Sequence, residues 1–397
     1  MQFRVETALT TIKCGSTWRR IWIAILVTFA AVSHTHAQGM PFAQELAAAG
    51  DSPATALPLA KDVSPKLTRT DIARAMRKVG DWQLQRAQPL FNQTWEFGAL
   101  YAGFMSVPKD IAANRYQDAM LGMGKKFSWQ LGPRLEHADD QVIGQTYLEL
   151  YLKYKNRAML SPTQSRMDEM MGLPESQDKP LWWWCDALFM APPVLARLST
   201  ATGERKYLDF MDRQWWITSS LLYDSAAHLY SRDATFLDKH EANGKKIFWS
   251  RGNGWVMAGL VRVLEKMPKD YPSRKKYEAQ LKEMAAAVLA VQGADGLWRP
   301  GLLDEKAYPL PETSGSAFIT YALAYGVNTG LLDKKTYRPA IEKAWAGLLA
   351  HVYEDGRLGC IQPVGAAPGV YIETSSYVYG VGAFLLAGSE IYKMAGV

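Results

Sequence analysis

Asp186 stands directly after three consecutive tryptophans, Trp182 to Trp184, and before an apolar run with helical spacing. A hydrophobic core alone would have no use for a carboxylate there, because burying an ionised acid costs free energy. Burial beside aromatic rings favours the protonated carboxyl, which is the form that a general acid needs near neutral pH. The start of the following helix favours the ionised form, so the direction of the pKa shift stays open. Asp186 is therefore one candidate for a catalytic carboxyl group.

Four further polar groups also precede segments with helical spacing. These groups are His137-Ala138-Asp139-Asp140-Gln141, Trp249-Ser250-Arg251-Gly252-Asn253-Gly254-Trp255, Glu312-Thr313-Ser314-Gly315-Ser316 and Glu373-Thr374-Ser375-Ser376. Each could simply cap a helix, and capping is the favoured interpretation for the groups at Glu312 and Glu373, because acids and hydroxyls suit the first turn. Since all five groups begin alternate helices, we expect them to converge on one pocket.

The residue types of this pocket suit an anionic sugar. The planar guanidinium of Arg251 can pair with a carboxylate, and helix N-termini add positive potential. The rings of Trp249 and Trp255 can stack on a sugar face. Asp140 also combines the start of a buried helix with an apolar flank, so it is the other candidate for a catalytic carboxyl group. A structural ion pair for Arg251 and core packing for the two tryptophans remain alternatives.

Helical spacing recurs about twelve times after residue 66, whereas strand-like alternation is sparse apart from short pieces near 229–231 and 295–298. The odd-numbered helices are amphipathic, and the even-numbered ones are rich in Gly and Ala and apolar nearly all round. The even-numbered helices are predicted over 94–106, 139–155, 184–200, 251–266, 313–326 and 374–395. This alternation indicates six outer helices, each with one solvent-exposed face, around six buried inner helices. We therefore predict an all-α (α/α)6 barrel in a single catalytic domain, residues 67–397, without a clean sequence repeat.

The first residues have the features of a secretory signal peptide. Four basic residues precede the apolar run 21–32, which is too short to cross a bilayer comfortably, and a small-residue cleavage site ends at Ala37. We predict a signal peptide over 1–37, a loose lead-in over 38–66 and export to the periplasm, with an uncleaved membrane anchor as the alternative. Cleavage lowers the formal charge from +6 to +3, because four basic residues and one acid leave, so the charge does not indicate a nucleic-acid partner.

Cysteine and histidine content argues against a disulfide framework and a metal centre. Only Cys185 and Cys360 follow the signal peptide, and the sequence does not say whether they pair. No His-x-x-x-His or Cys-x-x-Cys spacing occurs, so no metal or other cofactor is predicted. The 14 tryptophans and 19 tyrosines can fill a large core, and some of their rings can also bind sugars.

The motifs together resemble glycoside hydrolase family 105, the unsaturated rhamnogalacturonyl and glucuronyl hydrolases. The matching pieces are Ala138–Gln145, Trp183–Met190, Leu229–Asp233, Trp249–Trp255 and Glu373–Ser376, within a resemblance that spans about residues 70–395. The family's fold is an (α/α)6 barrel, which agrees with the helix pattern. The His-Asp-x-Gly-Phe signature of the sister family 88 is missing, which favours family 105.

The resemblance implies an unusual hydrolase. Members remove the 4,5-unsaturated uronyl sugar that polysaccharide lyases leave at a non-reducing end, and they do so by hydrating its double bond. By this resemblance Asp186 donates a proton to C4 and then helps water to add at C5. Asp140 assists it, with Asp139 as the stand-in.

The predicted substrate-binding residues are of two kinds: some occupy positions that match the family's motifs, and others are neighbours of the two acids. These residues are Arg251, Trp249, Trp255, Arg232, His137, Asp139 and Trp184. Some members have a His near the position of Arg232, which leaves recognition of the carboxylate or the leaving sugar open. The expected partners are unsaturated uronic-acid oligosaccharides, with no nucleic acid and, after signal removal, no membrane.

Two other kinds of protein fit the same pattern. One is another (α/α)6 carbohydrate-active enzyme, a polysaccharide lyase or a sugar epimerase, and the other is a periplasmic sugar-binding protein without turnover. A lyase would generate the ultraviolet absorbance of an unsaturated uronide, the hydrolase would consume it, and a binding protein would leave it unchanged. The parent polysaccharide, the choice between glucuronyl and galacturonyl sugars and the oligomeric state stay open.

Overall fold

The structure, a computed structural model, describes residues 47–175 and 180–396. In these ranges twelve longer helices follow one another: α1 Arg69–Ala87, α2 Trp95–Ser106, α3 Arg115–Lys126, α4 Ile143–Tyr154, α5 Ser161–Met171, α6 Pro192–Thr202, α7 Lys206–Leu222, α8 Ser250–Leu264, α9 Arg274–Leu289, α10 Thr313–Asn328, α11 Lys334–Leu349 and α12 Val378–Met394. Shorter helical turns are Gln88–Leu90, Lys109–Ala112, Ala138–Gln141, Arg157–Met159, Ala187–Met190, Ala234–Phe236 and Glu305–Ala307. The strands are β1 Gly50–Asp51, β2 Tyr223–Asp224, β3 Leu229–Tyr230 and β4 Ser376–Tyr377. The predicted signal peptide lies outside the described residues.

The even-numbered helices form a closed inner ring, in which each packs against the next and α12 packs against α2. Their residues are buried on nearly every side, and every residue of α8 is buried. The odd-numbered helices pack outside this ring and bury one stripe each. In α9, for example, the buried residues recur at the three- and four-residue spacing of a helix face. The predicted (α/α)6 barrel of six inner and six outer helices is confirmed.

Glycines allow the inner helices α2 and α12 to come into backbone contact. A Cβ atom on Gly382 would lie 2.3 Å from the carbonyl oxygen of Ala99, and a Cβ atom on Gly103 would lie 2.5 Å from the carbonyl oxygen of Gly382. Both obstructing atoms belong to the backbone, so relief would require a shift of a whole inner helix. The contact between α2 and α12, which we call the seam, therefore closes the ring only because Gly103 and Gly382 have no side chains.

We expect Gly382→Ala to lower the free energy of unfolding by about 3 kcal/mol or more, because the new methyl group overpacks the seam. Urea titration monitored by circular dichroism would measure the loss. Gly122→Ala on α3 is the matched control, since a Cβ atom there would meet no atom within 4 Å. It should keep or slightly raise stability, because alanine is the better helix former. If the two variants were equally stable, the close packing of α2 against α12 would not be essential to the fold, contrary to this account.

Two inner helices are interrupted where the sequence predicts a single one. The sixth predicted helix, 184–200, begins only at Ala187, pauses after Met190 and restarts at Pro192. Pro192 and Pro193 lack N–H groups, so the turn before them cannot continue its hydrogen bonds into α6. The fourth predicted helix, 139–155, is likewise divided at Val142. Each break leaves a separate turn that carries one of the polar groups.

The two predicted Glu-Thr-Ser caps have different outcomes. Glu312 accepts hydrogen bonds from the backbone N–H groups of Ser314 and Gly315 and begins α10, so this cap is confirmed. The prediction for Glu373 is wrong, because α12 begins at Val378 with Tyr377 before it. Just before α12, Ser376 and Tyr377 form β4. This strand pairs with β1 in an antiparallel ladder, which keeps these two residues extended.

The end of the segment predicted as a loose lead-in is tied to the barrel. Gly50 in β1 lies opposite Tyr377 in β4, and the Ala60 N–H donates a hydrogen bond to the Val352 carbonyl at 2.8 Å. The strand-like piece predicted at 229–231 corresponds to β3, which pairs with β2. The piece predicted at 295–298 is instead part of a turn, because the sequence Asp-Gly there reverses the chain.

Candidate active site

Asp186 lies where the chain turns into the short helix Ala187–Met190. It precedes this helix, but its side chain forms no capping hydrogen bond. The residue is only 9 % exposed; its carboxylate accepts a hydrogen bond from Cys185 Sγ at 3.3 Å and lies 3.9 Å from Arg232 Nε. Burial raises the pKa of Asp186, and the charge of Arg232 and the thiol of Cys185 partly offset this rise. The sequence left the direction of the pKa shift of Asp186 open, and in the structure the pKa is raised.

The segment before Asp186 is fixed by the loop that follows β3. The Cys185 N–H donates a hydrogen bond to the Arg232 carbonyl at 2.8 Å, and Trp184 forms an antiparallel bridge with Asp233. On the other side, the Thr218 hydroxyl donates to the Trp182 carbonyl at 2.7 Å. The motif at 229–233 therefore lies beside the acid.

The turn that carries Asp186 is also held from inside the barrel. Gln145 Nε2 on α4 donates a hydrogen bond to the Phe189 carbonyl at 2.7 Å, and Arg262 Nε on α8 donates to Gln145 Oε1 at 2.5 Å. A Cβ atom on Gly259 would lie 2.3 Å from the Leu188 carbonyl oxygen, so α8 presses directly against the turn. Two inner helices thus fix the height of Asp186 in the barrel.

Asp139 is an acid on which the charge of Asp186 acts. Burial and then the charge of Asp186 raise the pKa of Asp139 to about 7, and Arg134 offsets part of this rise. A carboxylate oxygen of Asp139 lies 3.6 Å from His137 Nδ1. Two interacting carboxyl groups resist joint ionisation, and the pKa values of both Asp139 and Asp186 are raised.

The prediction that Asp140 is the second catalytic carboxylate finds no support in the contacts of Asp140. Arg134 binds this carboxylate twice, through its backbone N–H at 2.6 Å and through Nη2 at 2.6 Å. The Gly132 N–H also donates a hydrogen bond to the Asp140 carbonyl at 2.9 Å. Asp140 therefore holds the 132–140 loop together, whereas Asp139, the predicted stand-in, is the neighbour on which the charge of Asp186 acts.

The three tryptophans before Asp186 differ in exposure. Trp182 is buried and Trp184 is 4 % exposed, whereas Trp183 is 47 % exposed. The Trp184 ring packs against the His137 ring with centroids 4.9 Å apart. Arg232 lies over the Trp183 ring, 5.5 Å from its centroid. Trp183 is therefore the ring that a ligand can reach, while Trp184 supports His137 from the protein side.

Arg232 connects the acid to the exposed ring. Its Nη1 donates a hydrogen bond to the Asp233 carboxylate at 2.7 Å, and Asp233 in turn accepts one from the Thr235 hydroxyl at 2.6 Å. Arg232 Nε is buried and makes no hydrogen bond within the described residues. The guanidinium is thus held in place and keeps hydrogen-bonding capacity for an anionic ligand.

The predicted ligands Arg251, Trp249 and Trp255 lie inside the protein. Arg251 is 1 % exposed, and its two Nη atoms donate hydrogen bonds to the carbonyls of Gln362 and the next residue at 2.5 and 2.9 Å. Trp249 Nε1 donates to Gln362 Oε1 at 3.0 Å, and Trp255 is buried among aromatic rings. Trp255 belongs to the hydrophobic core, whereas Trp249 packs against Arg251, and the predicted contacts of all three residues with a substrate stay predictions.

A cleft of about 710 Å³ opens beside the acids. Its lining includes His137, Trp183 and Trp184 on one part and Phe210 and Gln214 of α7 on another. This volume and the mixture of apolar and polar groups are typical of ligand sites. Neither Asp186 nor Asp139 lines this cleft; Asp139 contacts the lining residue His137, and Asp186 follows the lining residues Trp183 and Trp184 closely in the chain.

Two remaining expectations concern cysteines and metals. Cys185 and Cys360 are both buried and free, so they do not pair with each other. Within residues 47–175 and 180–396, no three His, Cys, Asp or Glu side chains are grouped so that they could hold a metal ion.

Sequence reasoning missed Arg134 and Gln362, although both shape the site. Arg134 lies outside any helix, and only its contacts reveal that it holds Asp140. Gln362 lies in the loop before α12; its backbone N–H donates to Glu312 at 3.0 Å and its side chain accepts from Trp249. No local pattern could have found Gln362, because these partners are distant in sequence. Its neighbour Tyr379 also donates to the Gln362 carbonyl at 2.5 Å.

An (α/α)6 barrel with buried carboxyl groups, a fixed arginine and an exposed tryptophan beside a cleft has the groups that a carbohydrate-active enzyme needs. Residues 69–395 match the model of Glycosyl Hydrolase Family 88. The chain therefore belongs to this family of glycoside hydrolases. Absence of the His-Asp-x-Gly-Phe signature does not exclude membership.

Similar proteins agree with this assignment. An unsaturated 3S-rhamnoglycuronyl hydrolase from Formosa agariphila is 41 % identical over 349 residues, which cover 83 % of this chain and 92 % of that protein. A solved structure of a glycosyl hydrolase family 88 protein from Bacteroides vulgatus has a TM-score of 0.78 at 31 % identity and covers 82 % of this chain and 99 % of that chain. A solved structure described as a polysaccharide lyase has a TM-score of 0.76 at 32 % identity, with 83 % and 98 % covered.

The fold is shared with proteins of family 105 as well. A possible member of that family from Salmonella enterica has a TM-score of 0.70 at 18 % identity, covering 82 % of this chain and 95 % of that chain. Proteins described as members of family 88 and of family 105 thus share this fold. The predicted relationship to the unsaturated uronyl hydrolases is confirmed.

Proposed function

We propose that the protein removes a 4,5-unsaturated uronyl residue from the non-reducing end of lyase-generated oligosaccharides by hydrating the C4–C5 double bond. The observation that carries this proposal is the buried carboxyl group of Asp186, which lies 3.9 Å from Arg232 Nε, while the same guanidinium lies over the exposed Trp183 ring. The relative from Formosa agariphila, named for an unsaturated 3S-rhamnoglycuronyl substrate, supports it. That substrate is the first candidate for this chain.

The chemistry begins with proton transfer from the Asp186 carboxyl to C4 of the sugar. The π electrons of the double bond form the new C–H bond, and the ring oxygen stabilises the cation at C5. Water adds to C5 and returns one proton to the Asp186 carboxylate. The hemiketal opens to a ketone, which leaves the ring oxygen on C1 as a hydroxyl. The hemiacetal at C1 then releases the remaining chain as an alcohol and becomes an aldehyde.

Asp139 and Arg232 set the proton supply of this reaction. Burial and then the charge of Asp186 raise the pKa of Asp139 to about 7, so the two carboxyl groups do not readily ionise together, whereas the charge of Arg232 limits the rise in the pKa of Asp186. The unpartnered Nε of Arg232 is also the hydrogen-bond donor that we assign to the sugar carboxylate. No glycosyl-enzyme forms, so the spacing of the two carboxylates does not select a retaining or inverting route.

The cleft beside the acids is where we place the remaining oligosaccharide chain. Trp183 offers an exposed ring face, and His137 and Gln214 offer polar groups within the same lining. Sugar rings stack on aromatic faces while their hydroxyls take the polar contacts. The unsaturated sugar would then lie at the acids and the leaving chain would extend into the cleft.

We expect Trp183→Ala to raise KM about tenfold with kcat almost unchanged, because the ring binds substrate and transition state alike. Initial rates over a substrate series would separate the two constants. Trp216→Ala, which removes a half-buried tryptophan from the outer helix α7, is the matched control and should leave KM unchanged. A fall in kcat with constant KM for Trp183→Ala would refute the binding role.

The proposed activity is tested with a panel of oligosaccharides that lyases have produced from different uronic-acid polysaccharides. The chromophore of the unsaturated sugar lies in the bond that the enzyme hydrates, so a true substrate loses its ultraviolet absorbance. We expect loss for at least one member of the panel. If every unsaturated substrate keeps its absorbance at high enzyme concentration, the proposal fails.

A second candidate function follows from the similar structure described as a polysaccharide lyase. A lyase would remove the proton at C5 of an intact uronic-acid polymer and eliminate the chain at C4, which creates the chromophore. The same absorbance assay with intact polysaccharides therefore separates the candidates by sign. A rise in absorbance favours the lyase, and a fall with lyase products favours the hydrolase.

We also propose that the protein is exported to the periplasm. The basic residues, the short apolar run and the site after Ala37 support a cleaved signal peptide. Within the described parts of the chain, no helix has both the length and the hydropathy that crossing a membrane requires. N-terminal sequencing of the protein from a periplasmic extract should begin at Gln38; an intact Met1 would contradict cleavage.

A further inference from the structure

We propose that Cys185 is a positioning residue of Asp186: its thiol holds one carboxylate oxygen of Asp186 and leaves the other oxygen for the substrate. The inference rests on the proposed function of Asp186 as proton donor. It assigns a role to the cysteine in the Trp-Cys-Asp motif, which the reaction as described above does not use.

The contact itself is specific. Cys185 Sγ lies 3.3 Å from Asp186 Oδ1, and both residues are buried. Within the described residues no other hydrogen bond reaches the Asp186 carboxylate. Its Oδ2 lies 3.9 Å from Arg232 Nε, which is an ion-pair distance beyond hydrogen-bond range. The two oxygens are therefore different: the thiol engages one, and the other makes no hydrogen bond there.

Hydrogen bonds on both backbone groups of Cys185 fix the position of its thiol. The Cys185 N–H donates to the Arg232 carbonyl at 2.8 Å, and the Cys185 carbonyl accepts from the Leu188 N–H at 3.1 Å. A Cβ atom on Gly252 would lie 3.1 Å from Cys185 Sγ and 3.7 Å from Asp186 Oδ1. Helix α8 thus closes over the thiol and the carboxylate, and glycine at 252 leaves just enough space for both.

A reactive role for this thiol is excluded by its ionisation. Burial, and next the charge of Asp186, raise the pKa of the Cys185 thiol well above its ordinary range. The thiol therefore remains protonated and can donate its hydrogen to the carboxylate. A donor of this kind favours the ionised carboxylate and fixes its rotation without adding a charge to the site.

The pH dependence of Asp186 reflects several groups besides the thiol. Those that face it are the neighbouring Cys185, Asp139 on the turn Ala138–Gln141, Arg232 and Asp233 on the loop after β3, and Arg251 on α8. Only the thiol can be changed without changing a formal charge. A substitution of Cys185 therefore reports on the hydrogen bond alone.

The kinetic test compares Cys185→Ala with Cys185→Ser. Loss of the donor in Cys185→Ala should move the basic limb of the kcat/KM profile to higher pH and lower the maximum about threefold to tenfold. Cys185→Ser keeps a donor, so its basic limb should lie at or below the wild-type position. Cys360→Ala, which changes the other buried free cysteine, should leave the profile unchanged. If all four proteins share one profile, the thiol only fills space and the proposal is overturned.

The closing experiment reads the contact without any substrate. The S–H stretching band lies in an infrared window that is otherwise empty in proteins, and hydrogen bonding lowers its frequency. The Cys185 component, identified by its loss in Cys185→Ala, should move to higher frequency in Asp186→Asn and should follow the protonation of Asp186 in the wild type. A band indifferent to both changes overturns the proposal, whatever the enzyme's activity. A responsive band together with an inert absorbance panel would instead overturn the proposed function and leave the contact intact.

Discussion

Asp186→Asn is expected to lower kcat/KM on an unsaturated oligosaccharide about a thousandfold while the barrel remains folded. The amide has the shape of the carboxyl group but cannot give a proton to C4 or take one from water. General acid and base catalysis contributes on this scale, and here one residue performs both transfers. Stability should not fall, because the wild-type protein must bury this carboxyl group at a cost that the amide avoids.

The control for this variant is Asp333→Asn, the same chemical change at a distant position. Asp333 begins the outer helix α11 and accepts a hydrogen bond from the Thr336 N–H at 2.8 Å. That variant should keep full activity and lose at most about 1 kcal/mol of stability from the weaker cap. Activity of Asp186→Asn within tenfold of wild type would refute the role of Asp186.

Asp139→Asn is expected to lower kcat/KM at pH 7 about a hundredfold and to move the basic limb of the profile to lower pH. In the wild type, burial and then the charge of Asp186 raise the pKa of Asp139 to about 7, and the same repulsion acts on Asp186 in return. Without the second charge, Asp186 ionises at lower pH and the acid form is depleted at pH 7. A pH-rate series with Asp139→Asn measures both effects.

The same variant should gain stability, with a predictable sign against pH. Asp139 has a pKa of about 7 when folded and an ordinary value of 3.8, so the folded state binds more protons between these values. Its contribution to stability therefore falls as pH rises through this window, and the loss is complete above pH 7. Asp139→Asn should be more stable than wild type by at most about 4 kcal/mol at pH 8, and by less at pH 5.

Asp140→Asn provides the contrast that separates the two neighbouring acids. It weakens the contacts with Arg134, so it should lower the free energy of unfolding by about 1 to 2 kcal/mol. Its pH-rate profile should keep the wild-type shape. If Asp140→Asn shifts the basic limb and Asp139→Asn does not, the assignment of the second carboxylate is reversed.

The barrel could be predicted from sequence because its signal is repeated and local. Wet and buried helices alternate along the whole domain, so errors at single boundaries do not change the architecture. The errors that occurred have long-range or backbone causes. The second Glu-Thr-Ser motif was predicted to start a helix, but its strand pairs with residues that lie more than 300 positions earlier. The sixth helix was predicted without a break, although Pro192 and Pro193 carried the signal for one.

The site could be predicted only as far as motif and neighbourhood allow. Asp186 was predicted from its aromatic flank and lies in a buried, polar position with a raised pKa. Choosing between Asp139 and Asp140 required the direction of two side chains on one turn, which spacing does not determine. Arg251 and Trp249 have types that suit sugar binding, and their hydrogen bonds to the loop at Gln362, which the sequence does not reveal, leave their contact with a substrate a prediction. Such contacts between distant segments have no local pattern.

The order of chromophore loss and chain release tests the central claim most directly. Rapid-quench samples from a reaction with a lyase-generated oligosaccharide would be divided, with the ultraviolet absorbance and the released chain measured in each. Hydration requires the double bond to disappear before or together with release of the chain, in equal amounts, for the wild type and Asp333→Asn but not for Asp186→Asn. Release of the chain with the chromophore still intact would contradict hydration and indicate ordinary cleavage of the glycosidic bond.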